Sequence, residues 1–487
     1  MLQKEFTKYL RNAKLLLFFI VLFGLALRLL FFEGMGTSDD LAYSGYAAAM
    51  HKDAATDSLE NTLAVRTGII YATSISYRLF GINDFSSVLF VLLTSTAGII
   101  LVFYFGKLLF NEKVGLMASF LLSFFPLDVV YSTKLLSDLP SAFFMALGVY
   151  IFLYSELKSK LRYGIGYFLS GIFIGIGYLI RESAVLIALF FIAYILCKKS
   201  IKKEYFLVPF GFLVIFVLES LMFFAVTGNP LFRSMASQQF LLKASIAYNY
   251  FGRLDFPLGL LHYPWLFLTN SLLSFFYIFV FIAIGYSLIY RKKEAYNMIF
   301  WLMPLVLYLS FGSASLSQYI PFRGVDRYLA IVTMPAILLL AFFLTEKNEL
   351  IRKAIMPLSL ILLLLTSIGT VYLREDRNLL GNLKSIYPDL EKLDKPVYID
   401  SRSIRALDYI SGYKNKLDAR EYPADLNGIR DSYLVINQDM INRLRGSAKN
   451  TNFFKGFPNE IDNPPQSWIK VKEIGKDGKT ITIYYVK

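Results

Sequence analysis

Cysteine, histidine and charge are all scarce in this 487-residue chain. Its one cysteine, Cys197, excludes an intramolecular disulfide and a cysteine-based metal cluster. Charged residues make up 18% of the chain against 56% hydrophobic residues, and the mean hydropathy is +0.51. This composition is too apolar for a soluble multidomain protein and indicates a polytopic membrane protein. The net charge of +14 does not indicate nucleic-acid binding, because the basic residues lie mostly beside apolar runs.

Apolar runs recur along the chain with about the length that crosses the hydrocarbon core, roughly 17 to 25 residues. About eleven are present, several of them short: 15–32, 86–108, 114–131, 139–155, 163–180, 183–197, 205–227, 264–290, 297–311, 327–345 and 354–373. Basic clusters, such as those in 4–14 and 198–203, fall at alternate ends of these runs. By the positive-inside rule those ends are cytoplasmic. The first run has no small-residue cleavage site after it, so we expect an uncleaved anchor.

The other ends of the runs define the extracytoplasmic face. This face is predicted to hold the long loop 33–85, the turn 134–138, the loops 228–263 and 312–326 and, with an odd number of spans, the C-terminal tail. Within the first loop, 41–50 and 69–80 are predicted to be short helices in or near the membrane interface. Glycines in the fifth run, among them Gly171 and Gly175, indicate close helix packing.

The tail, 374–487, is richer in charge and proline than the preceding chain. It is predicted to contain strands at 396–400 and 432–437, a helix at 401–411 begun by a serine cap, and a hairpin formed by 468–473 and 480–486 around Asp477-Gly478. We therefore divide the chain into a transmembrane catalytic domain, 1–373, and a soluble extracytoplasmic α/β domain, 374–487. The tail shows no nucleotide loop, nucleophile elbow or metal-ligand spacing, so packing or acceptor docking is its default role.

Charged residues of both signs are predicted on the extracytoplasmic face. They include Asp39, Asp40 and Asp138 with Arg66, Lys134, Arg181, Arg323 and Arg327. Each alone has a structural explanation, since the acids can cap helices, and the arginines can pair with a nearby acid or extend to the interface. Together, carboxylates and arginines on one face suit chemistry on a phosphate-bearing substrate. Because nucleotide-activated donors are not expected outside the cytoplasm, a lipid phosphate is indicated.

Several short motifs follow one another at a recognisable spacing. They are Asp39-Asp40-Leu-Ala-Tyr43, Phe80-Gly81, Lys113-Val-Gly115, Ser123-Phe-Phe-Pro126, Leu136-Ser-Asp138, Gly171-Ile-Phe-Ile-Gly175, Arg181-Glu182, and Arg327-Tyr328 with Pro335. Over roughly residues 15–345 this order resembles the GT-C fold integral-membrane glycosyltransferases, in the branch with protein O-mannosyltransferases and the lipid A aminoarabinose transferase. The tail is only generically similar to that family. The expected fold is therefore a GT-C type polytopic α-helical membrane protein, with about eleven transmembrane helices read from the apolar runs and a C-terminal extracytoplasmic α/β domain read from the tail.

The resemblance also implies an activity. A sugar would pass, with inversion, from a polyprenyl-phosphate donor (dolichyl or undecaprenyl) to a hydroxyl of a protein, lipid or glycan acceptor. By position, Asp39 would be the general base, and Asp40 would orient it or help position the acceptor. Arg181 and Arg327 would lie near the lipid phosphate. The implied site contains Asp39 and Asp40 as catalytic residues, with Tyr43, Arg66, Asp138, Arg181, Glu182, Arg323, Arg327 and Tyr328 as substrate-binding residues.

The sequence is also compatible with a bound metal and with a second function. Relatives carry Lys-Pro-Pro where this chain has Val65-Arg66-Thr67-Gly68, which leaves open a divalent metal ion (Mg²⁺, Mn²⁺ or Zn²⁺) with Asp138 as its candidate ligand. His51 and His262 are predicted on the same face. The alternative function is a transporter or flippase for a lipid-linked or anionic substrate, in which charges line a pathway across the membrane. The expected location for either function is the plasma membrane, in contact with membrane lipids.

Overall fold

The structure is a computed structural model that describes residues 12–51, 63–158, 164–199, 201–247, 257–313, 315, 319–322, 324–374, 378–414, 417–423, 425–426, 428–448, 457–476 and 479–487. The helices before the tail are α1 Ala13–Leu30, α2 Asp39–His51, α3 Thr67–Phe80, α4 Asp84–Leu109, α5 Glu112–Ser123, α6 Pro126–Tyr131, α7 Asp138–Lys158, α8 Ile165–Ile180, α9 Ala188–Lys198, α10 Leu207–Thr227, α11 Phe232–Ala247, α12 His262–Thr269, α13 Phe276–Ile289, α14 Tyr296–Phe311, α15 Ala330–Leu344 and α16 Met356–Tyr372. Short 3₁₀ turns at Glu182–Ile187 and Asp326–Leu329 precede α9 and α15.

Seven helices in the described residues are long and apolar enough to cross a membrane. They are Ala13–Leu30, Asp84–Leu109, Asp138–Lys158, Lys203–Thr227, Lys293–Phe311, Asp326–Leu344 and Ile351–Tyr372. Two shorter apolar helices, Ile165–Ile180 and Phe276–Ile289, accompany them. These helices confirm a multi-pass helical membrane protein, whereas the count of eleven spans stays a prediction.

Three predicted runs are interrupted in the structure. The run 114–131 divides into α5 and α6, because Pro126 has no backbone N–H and begins a new helix at its first turn. The run 264–290 divides at Asn270, whose backbone is extended. The run 183–197 begins as a 3₁₀ turn and becomes α-helical only from Ala188.

Helix α15 lies at the centre of the bundle. It packs against α4, α5, α7, α13 and α14. In the apolar stretch that includes α15, 83% of the residues are buried, against 22% in α1. Helices α8 and α10 approach each other closely, as the glycine pattern predicts. A Cβ atom on Gly171 would lie 1.9 Å from the Val208 carbonyl oxygen, and one on Gly211 would lie 2.2 Å from that of Phe168. Only glycine permits such backbone contact.

The two predicted interfacial helices are present in the long first loop. Helix α2 spans Asp39–His51 and α3 spans Thr67–Phe80, and the two pack against each other. Exposed apolar side chains on α3, such as Ile75 and Leu79, suit an interfacial position. The α2 helix starts two residues earlier than predicted, so both aspartates lie in its first turn.

The tail forms one sheet with three helices, α17 Gly381–Leu390, α18 Ser401–Ile410 and α19 Gln438–Ala448. The strands are β1 Val397–Ile399, β2 Ala419–Glu421, β3 Ser432–Asn437, β4 Ile469–Ile474 and β5 Ile481–Val486, in the order β2-β1-β3-β5-β4. Strand β1 is parallel to β2 and β3, whereas β5 is antiparallel to β3 and β4, which forms the predicted hairpin. Its turn, Asp477-Gly478, lies outside the described residues.

The predicted serine cap of the tail helix is wrong. The side chain of Asp400 accepts the hydrogen bond from the Ser403 backbone N–H, at 2.9 Å, and so caps α18. An aspartate with extended backbone fills this position as well as serine does.

Candidate functional site

Five helix ends meet at one point beside the membrane bundle. The N-terminal ends of α2, α3 and α7, the turn before α15, and the C-terminal end of α8 each supply a charged residue there. They are Asp39, Arg66, Asp138, Arg327 and Arg181. Helix N-termini carry unsatisfied N–H groups and a partial positive charge, so this arrangement favours anions.

Asp39 faces arginine rather than capping its own helix. Its Oδ2 lies 2.8 Å from Nη2 of Arg327, 288 residues away in sequence, and its side chain is 27% exposed. Burial alone would raise the pKa of Asp39, but Arg327, with Arg66 and Arg181 further away, holds it below its usual value. Asp39 is therefore an ionised carboxylate at neutral pH with one side open to solvent.

Asp40 lies in a different environment. It is 5% exposed and its carboxylate accepts hydrogen bonds from the backbone N–H groups of Gly36 and Ser38, the latter at 3.0 Å. Burial raises the pKa of Asp40 above its usual value despite these bonds. The two adjacent acids thus divide into an accessible carboxylate, Asp39, and a buried one that fixes the loop before α2.

Asp138 is enclosed by two arginines. Its Oδ1 lies 2.8 Å from Nη1 of Arg181, and its Oδ2 lies 3.9 Å from Nε of Arg327. Arg181 also donates to Ser137, at 3.2 Å, and its guanidinium lies 4.7 Å from the ring centroid of Tyr328. The capping alternative for Asp138 is therefore not what the side chain does, although α7 does begin at this residue.

Two buried polar atoms of these side chains lack a hydrogen-bond partner within the part of the chain that the structure describes. They are Oδ2 of Asp138 and Nε of Arg327. At 3.9 Å they are also too far apart to bond each other. Leaving a buried charged group unsatisfied is costly, so a site of this kind is suited to a ligand that supplies the partners.

The residue before Arg327 anchors the turn in which Arg327 lies. The carboxylate of the preceding residue, Asp326, accepts hydrogen bonds from the Tyr131 hydroxyl at 2.7 Å, from Asn270 at 3.1 Å and from the Arg327 backbone N–H at 2.7 Å. The central helix α15 then continues from this turn. These bonds thus fix the backbone of Arg327 at the start of α15.

A second arginine cluster borders the first. Arg66 donates to the Tyr43 hydroxyl at 2.6 Å and pairs with Glu182 at 3.1 Å, and Tyr43 also contacts Ser137 at 3.3 Å. Burial acts against the charge of Glu182, yet Arg66 and Arg233 lower its pKa to about 2. Burial raises the pKa of Tyr43, so its hydroxyl keeps its proton.

Two members of this cluster, Arg233 and Glu219, were not predicted from the sequence. Arg233, at the start of α11, lies 2.5 Å from Glu219 and 3.4 Å from Glu182. Glu219 also accepts from the Thr67 hydroxyl at 3.2 Å. The available signal was a lone carboxylate within an apolar run, which is costly unless it is paired or functional.

The remaining predicted residues are placed as follows. Tyr328 packs on Arg181, and Lys134 pairs with the buried Glu33, at 3.5 Å. Arg323 lies outside the described residues. The structure thus brings nine predicted residues close together: Asp39, Asp40, Tyr43, Arg66, Asp138, Arg181, Glu182, Arg327 and Tyr328.

A divalent metal does not fit this donor set. The carboxylate of Asp138 already pairs with Arg181, and that of Asp39 with Arg327. The two guanidinium groups would repel a metal cation placed between them. Among the described residues no group of three histidine, cysteine, aspartate or glutamate side chains is arranged to hold a metal ion. His262 lies against Gly324, where an added Cβ would meet its ring.

A different ion pair, also missed, lies deeper in the bundle. Arg28 is fully buried and donates to Ser95 at 2.8 Å, to the carbonyl oxygens of Gly24 at 2.9 Å and Ser123 at 3.0 Å, and to Asp128 at 2.5 Å. Each of its three nitrogen atoms has a partner. Its location among α1, α4, α5 and α6 indicates a structural role.

Solved structures share this fold over nearly the whole chain. ArnT from Cupriavidus metallidurans in the apo state matches with a TM-score of 0.64 and 14% identity, covering 96% of this chain and 97% of that one. The same protein bound to undecaprenyl phosphate gives 0.62, again at 14% identity and the same coverage. The Archaeoglobus fulgidus oligosaccharyltransferase matches at 0.59 and 12% identity, covering 99% of this chain and 75% of that one.

These matches define the fold of the protein, which is the GT-C architecture of membrane-embedded glycosyltransferases. Residues 68–224 match the family model described as dolichyl-phosphate-mannose-protein mannosyltransferase. A sequence comparison with curated proteins gives no match. The predicted resemblance and enzyme class are thereby confirmed, and the transporter alternative is not favoured.

Proposed function

We propose that this protein is an inverting glycosyltransferase that moves a sugar from a polyprenyl phosphate to a hydroxyl of a protein, lipid or glycan. The observation that carries the proposal is the convergence of Arg327, Arg181 and Arg66 around the carboxylates Asp39 and Asp138. Arginine binds phosphate through paired, charge-assisted hydrogen bonds. The family match over 68–224 and the ArnT structure bound to undecaprenyl phosphate support the same donor class.

The chemistry needs one base and a stabilised leaving group. The acceptor oxygen forms a bond to the anomeric carbon while the bond from that carbon to the phosphate oxygen breaks, and the acceptor proton passes to Asp39. The exposed side of Asp39 and its lowered pKa suit this role, because the carboxylate is ionised before the acceptor arrives. Attack from the side opposite the phosphate inverts the anomeric centre.

The arginines stabilise the departing polyprenyl phosphate. Its negative charge increases as the bond to the sugar breaks, and Arg327 and Arg181 stabilise that charge from fixed positions in a site largely shielded from water. Asp138 keeps the two guanidinium groups together in the absence of substrate. Asp40 orients the first turn of α2, and Tyr43 and Arg66 line the site beside it.

The membrane arrangement is part of the proposal. We assign about eleven spans, with 1–373 as the membrane domain and 374–487 as the extracytoplasmic domain. The basic clusters at alternate ends of the runs support an active site that faces outward. The donor then reaches the site within the outer leaflet of the plasma membrane.

The test is sugar transfer from radiolabelled polyprenyl-phosphate mannose, glucose and arabinose to native membrane extract, with the purified protein in liposomes. We expect Asp39→Asn to lower turnover by about 10²- to 10⁴-fold, the usual contribution of a general base. Undecaprenyl phosphate should still raise the melting temperature of the variant, since binding is retained. Glu112→Gln, in an exposed pair with Lys107, is the matched control and should transfer normally.

Two results would contradict the proposal. Wild-type protein that transfers no sugar from any of the lipid donors, while still melting cooperatively, would remove the assigned activity. Undiminished transfer by Asp39→Asn would leave the enzyme class intact but remove Asp39 as the base.

A further inference from the structure

One turn of the C-terminal domain has an unfavourable backbone conformation. After α18, Gly412 has φ +64° and Tyr413 has φ +57°, both in the left-handed region. Glycine adopts this region freely, but an aromatic residue rarely does. The Tyr413 backbone N–H is held by the Asp408 carbonyl oxygen at 2.7 Å. A tyrosine in a position better suited to glycine or asparagine suggests that its side chain has a use.

The side chain of Tyr413 reaches the helix that carries the proposed base. Its hydroxyl donates to Oγ of Ser44, on α2, at 2.8 Å. Ser44 in turn lies 2.6 Å from the Tyr77 hydroxyl on α3, and Tyr77 lies 2.9 Å from Ser87 on α4. Ser87 donates to the Asn83 carbonyl oxygen at 2.7 Å.

Each hydroxyl in this series has one proton to donate. Because Tyr413 donates to Ser44 and Ser87 donates to Asn83, the series runs in one direction with every proton used: Ser44 donates to Tyr77, and Tyr77 donates to Ser87. Burial raises the pKa of Tyr413, so the donor that starts the series keeps its proton.

A second tyrosine, within α18 itself, adds to this attachment. Tyr409 is 3% exposed, and its hydroxyl donates to Oδ1 of Asp84 at 2.8 Å and contacts Ser87 at 3.1 Å. Lys384, also from the C-terminal domain, pairs with the other oxygen of Asp84 at 2.5 Å. Helix α18 therefore contacts both α2 and the start of α4 through buried polar groups.

These contacts lie directly behind the active site. Ser44 is next to Tyr43, which contacts Arg66, and it is about one turn along α2 from Asp39 and Asp40. Helix α2 lies between the arginine cluster on one side and the tyrosines of α18 on the other. A shift of α2 would change the position of Asp39 relative to Arg327.

We propose that Tyr413 and Tyr409 are positioning residues, through which the C-terminal domain holds α2 in the orientation that places Asp39 for proton transfer. The C-terminal domain thereby contributes to the chemical step as well as to packing or acceptor docking. This inference rests on the proposed function, because it assumes Asp39 as the base. It concerns the orientation of one helix and leaves the identity of the acceptor open.

The kinetic test compares Tyr413→Phe and the Tyr409→Phe/Tyr413→Phe double variant with wild type. Each change removes only hydroxyl groups. Small misplacements of a reacting group cost up to about 10²-fold in rate, so we expect kcat to fall by roughly 10- to 100-fold in the double variant. KM for the lipid donor should not change, because the arginines are untouched. The matched control is Tyr422→Phe, whose hydroxyl donates to the Val435 carbonyl oxygen within the same domain.

Hydrogen–deuterium exchange gives a readout that does not depend on activity. Amide exchange in a peptide covering 39–51 should become faster in the double variant, while exchange in β3 and β5 stays at the wild-type rate. Unchanged kcat with unchanged exchange in α2 would overturn the inference, as would an equal loss of kcat in Tyr422→Phe. If wild-type protein transfers no sugar, the proposed function fails, whereas the exchange result still decides whether the tyrosines hold α2.

Discussion

Two arginine–aspartate pairs in this protein have similar chemistry and different surroundings. Arg28 and Asp128 lie deep among the membrane helices, and Nε and both Nη atoms of Arg28 are bonded. Arg181 and Asp138 lie at the helix ends, where one buried oxygen of Asp138 accepts no hydrogen bond from any described residue. The arginine nitrogens of the first pair all have hydrogen-bond partners, whereas the second pair keeps an oxygen that can accept a hydrogen bond from a ligand.

This difference in hydrogen bonding distinguishes a structural ion pair from a ligand-binding one more clearly than burial does. Asp128 is 6% exposed and Asp138 is 3% exposed, so burial alone does not distinguish them. What distinguishes them is the number of polar atoms that the protein leaves without partners. A satisfied buried pair contributes to specific packing, while an unsatisfied one is arranged for something that arrives from outside.

The largest expected effect concerns the deeper pair. Arg28→Met leaves Asp128 charged and buried without its cation, so the free energy of unfolding should fall by about 3–5 kcal/mol. The measurement is unfolding in mixed micelles with increasing denaturing detergent. Adding Asp128→Leu to Arg28→Met removes the isolated charge and should restore much of the lost stability. A stable Arg28→Met variant that no longer transfers sugar would instead make this pair part of the active site.

A smaller effect, seen in rate rather than stability, is expected at the second pair. Arg181→Gln should lower kcat/KM by about 10²- to 10³-fold, the usual cost of one fixed donor to a developing charge. The free energy of unfolding should change little, because Arg327 still lies near Asp138. Arg181→Lys keeps the charge and serves as the matched variant, with a smaller loss. Destabilisation as large as that of Arg28→Met would show that the two pairs do not differ as described.

The smallest effect is a shift along the pH axis. Because Arg327 lowers the pKa of Asp39, the wild-type rate should stay constant as pH falls, until it approaches a pKa below the usual carboxyl value. Arg327→Gln removes the strongest lowering influence, so the pKa of Asp39 rises and the acid side of the pH–rate profile moves to higher pH. Arg327→Lys should preserve most of the wild-type profile. An acid side that does not move in Arg327→Gln would assign the titration to another group.

Much of the fold could be predicted from the sequence because it follows local rules. Apolar runs set the spans, and the interfacial helices α2 and α3 are close to their predicted bounds. The helix breaks at Pro126 and Asn270 were harder to predict, because the apolar run continues across each of these residues. The strands of the C-terminal sheet are also near their predicted positions, although the cap at Asp400 was not predicted.

The site was predictable in its members but not in its contacts. Asp39 and Arg327 are 288 residues apart, and nothing in the sequence pairs Asp39 with Arg327 rather than with Arg181. Lone charges within apolar runs gave equal signals for Arg28 and Glu219, yet only Glu219 lies beside the site. Whether such a charge finds all its partners depends on packing between helices distant in sequence, which a single sequence does not report.

The close crossing of α8 and α10 has a mechanical consequence. Where Gly171 and Gly211 meet the opposing backbone, no side chain separates the two helices, so their backbones are in direct contact. Glu182 follows the end of α8, and Glu219 lies about two turns along α10 from Gly211, so the crossing sets the separation of the two acids that Arg233 bridges. A single methyl group added at the crossing would push the two helices apart there and would therefore also change the distance that Arg233 has to span.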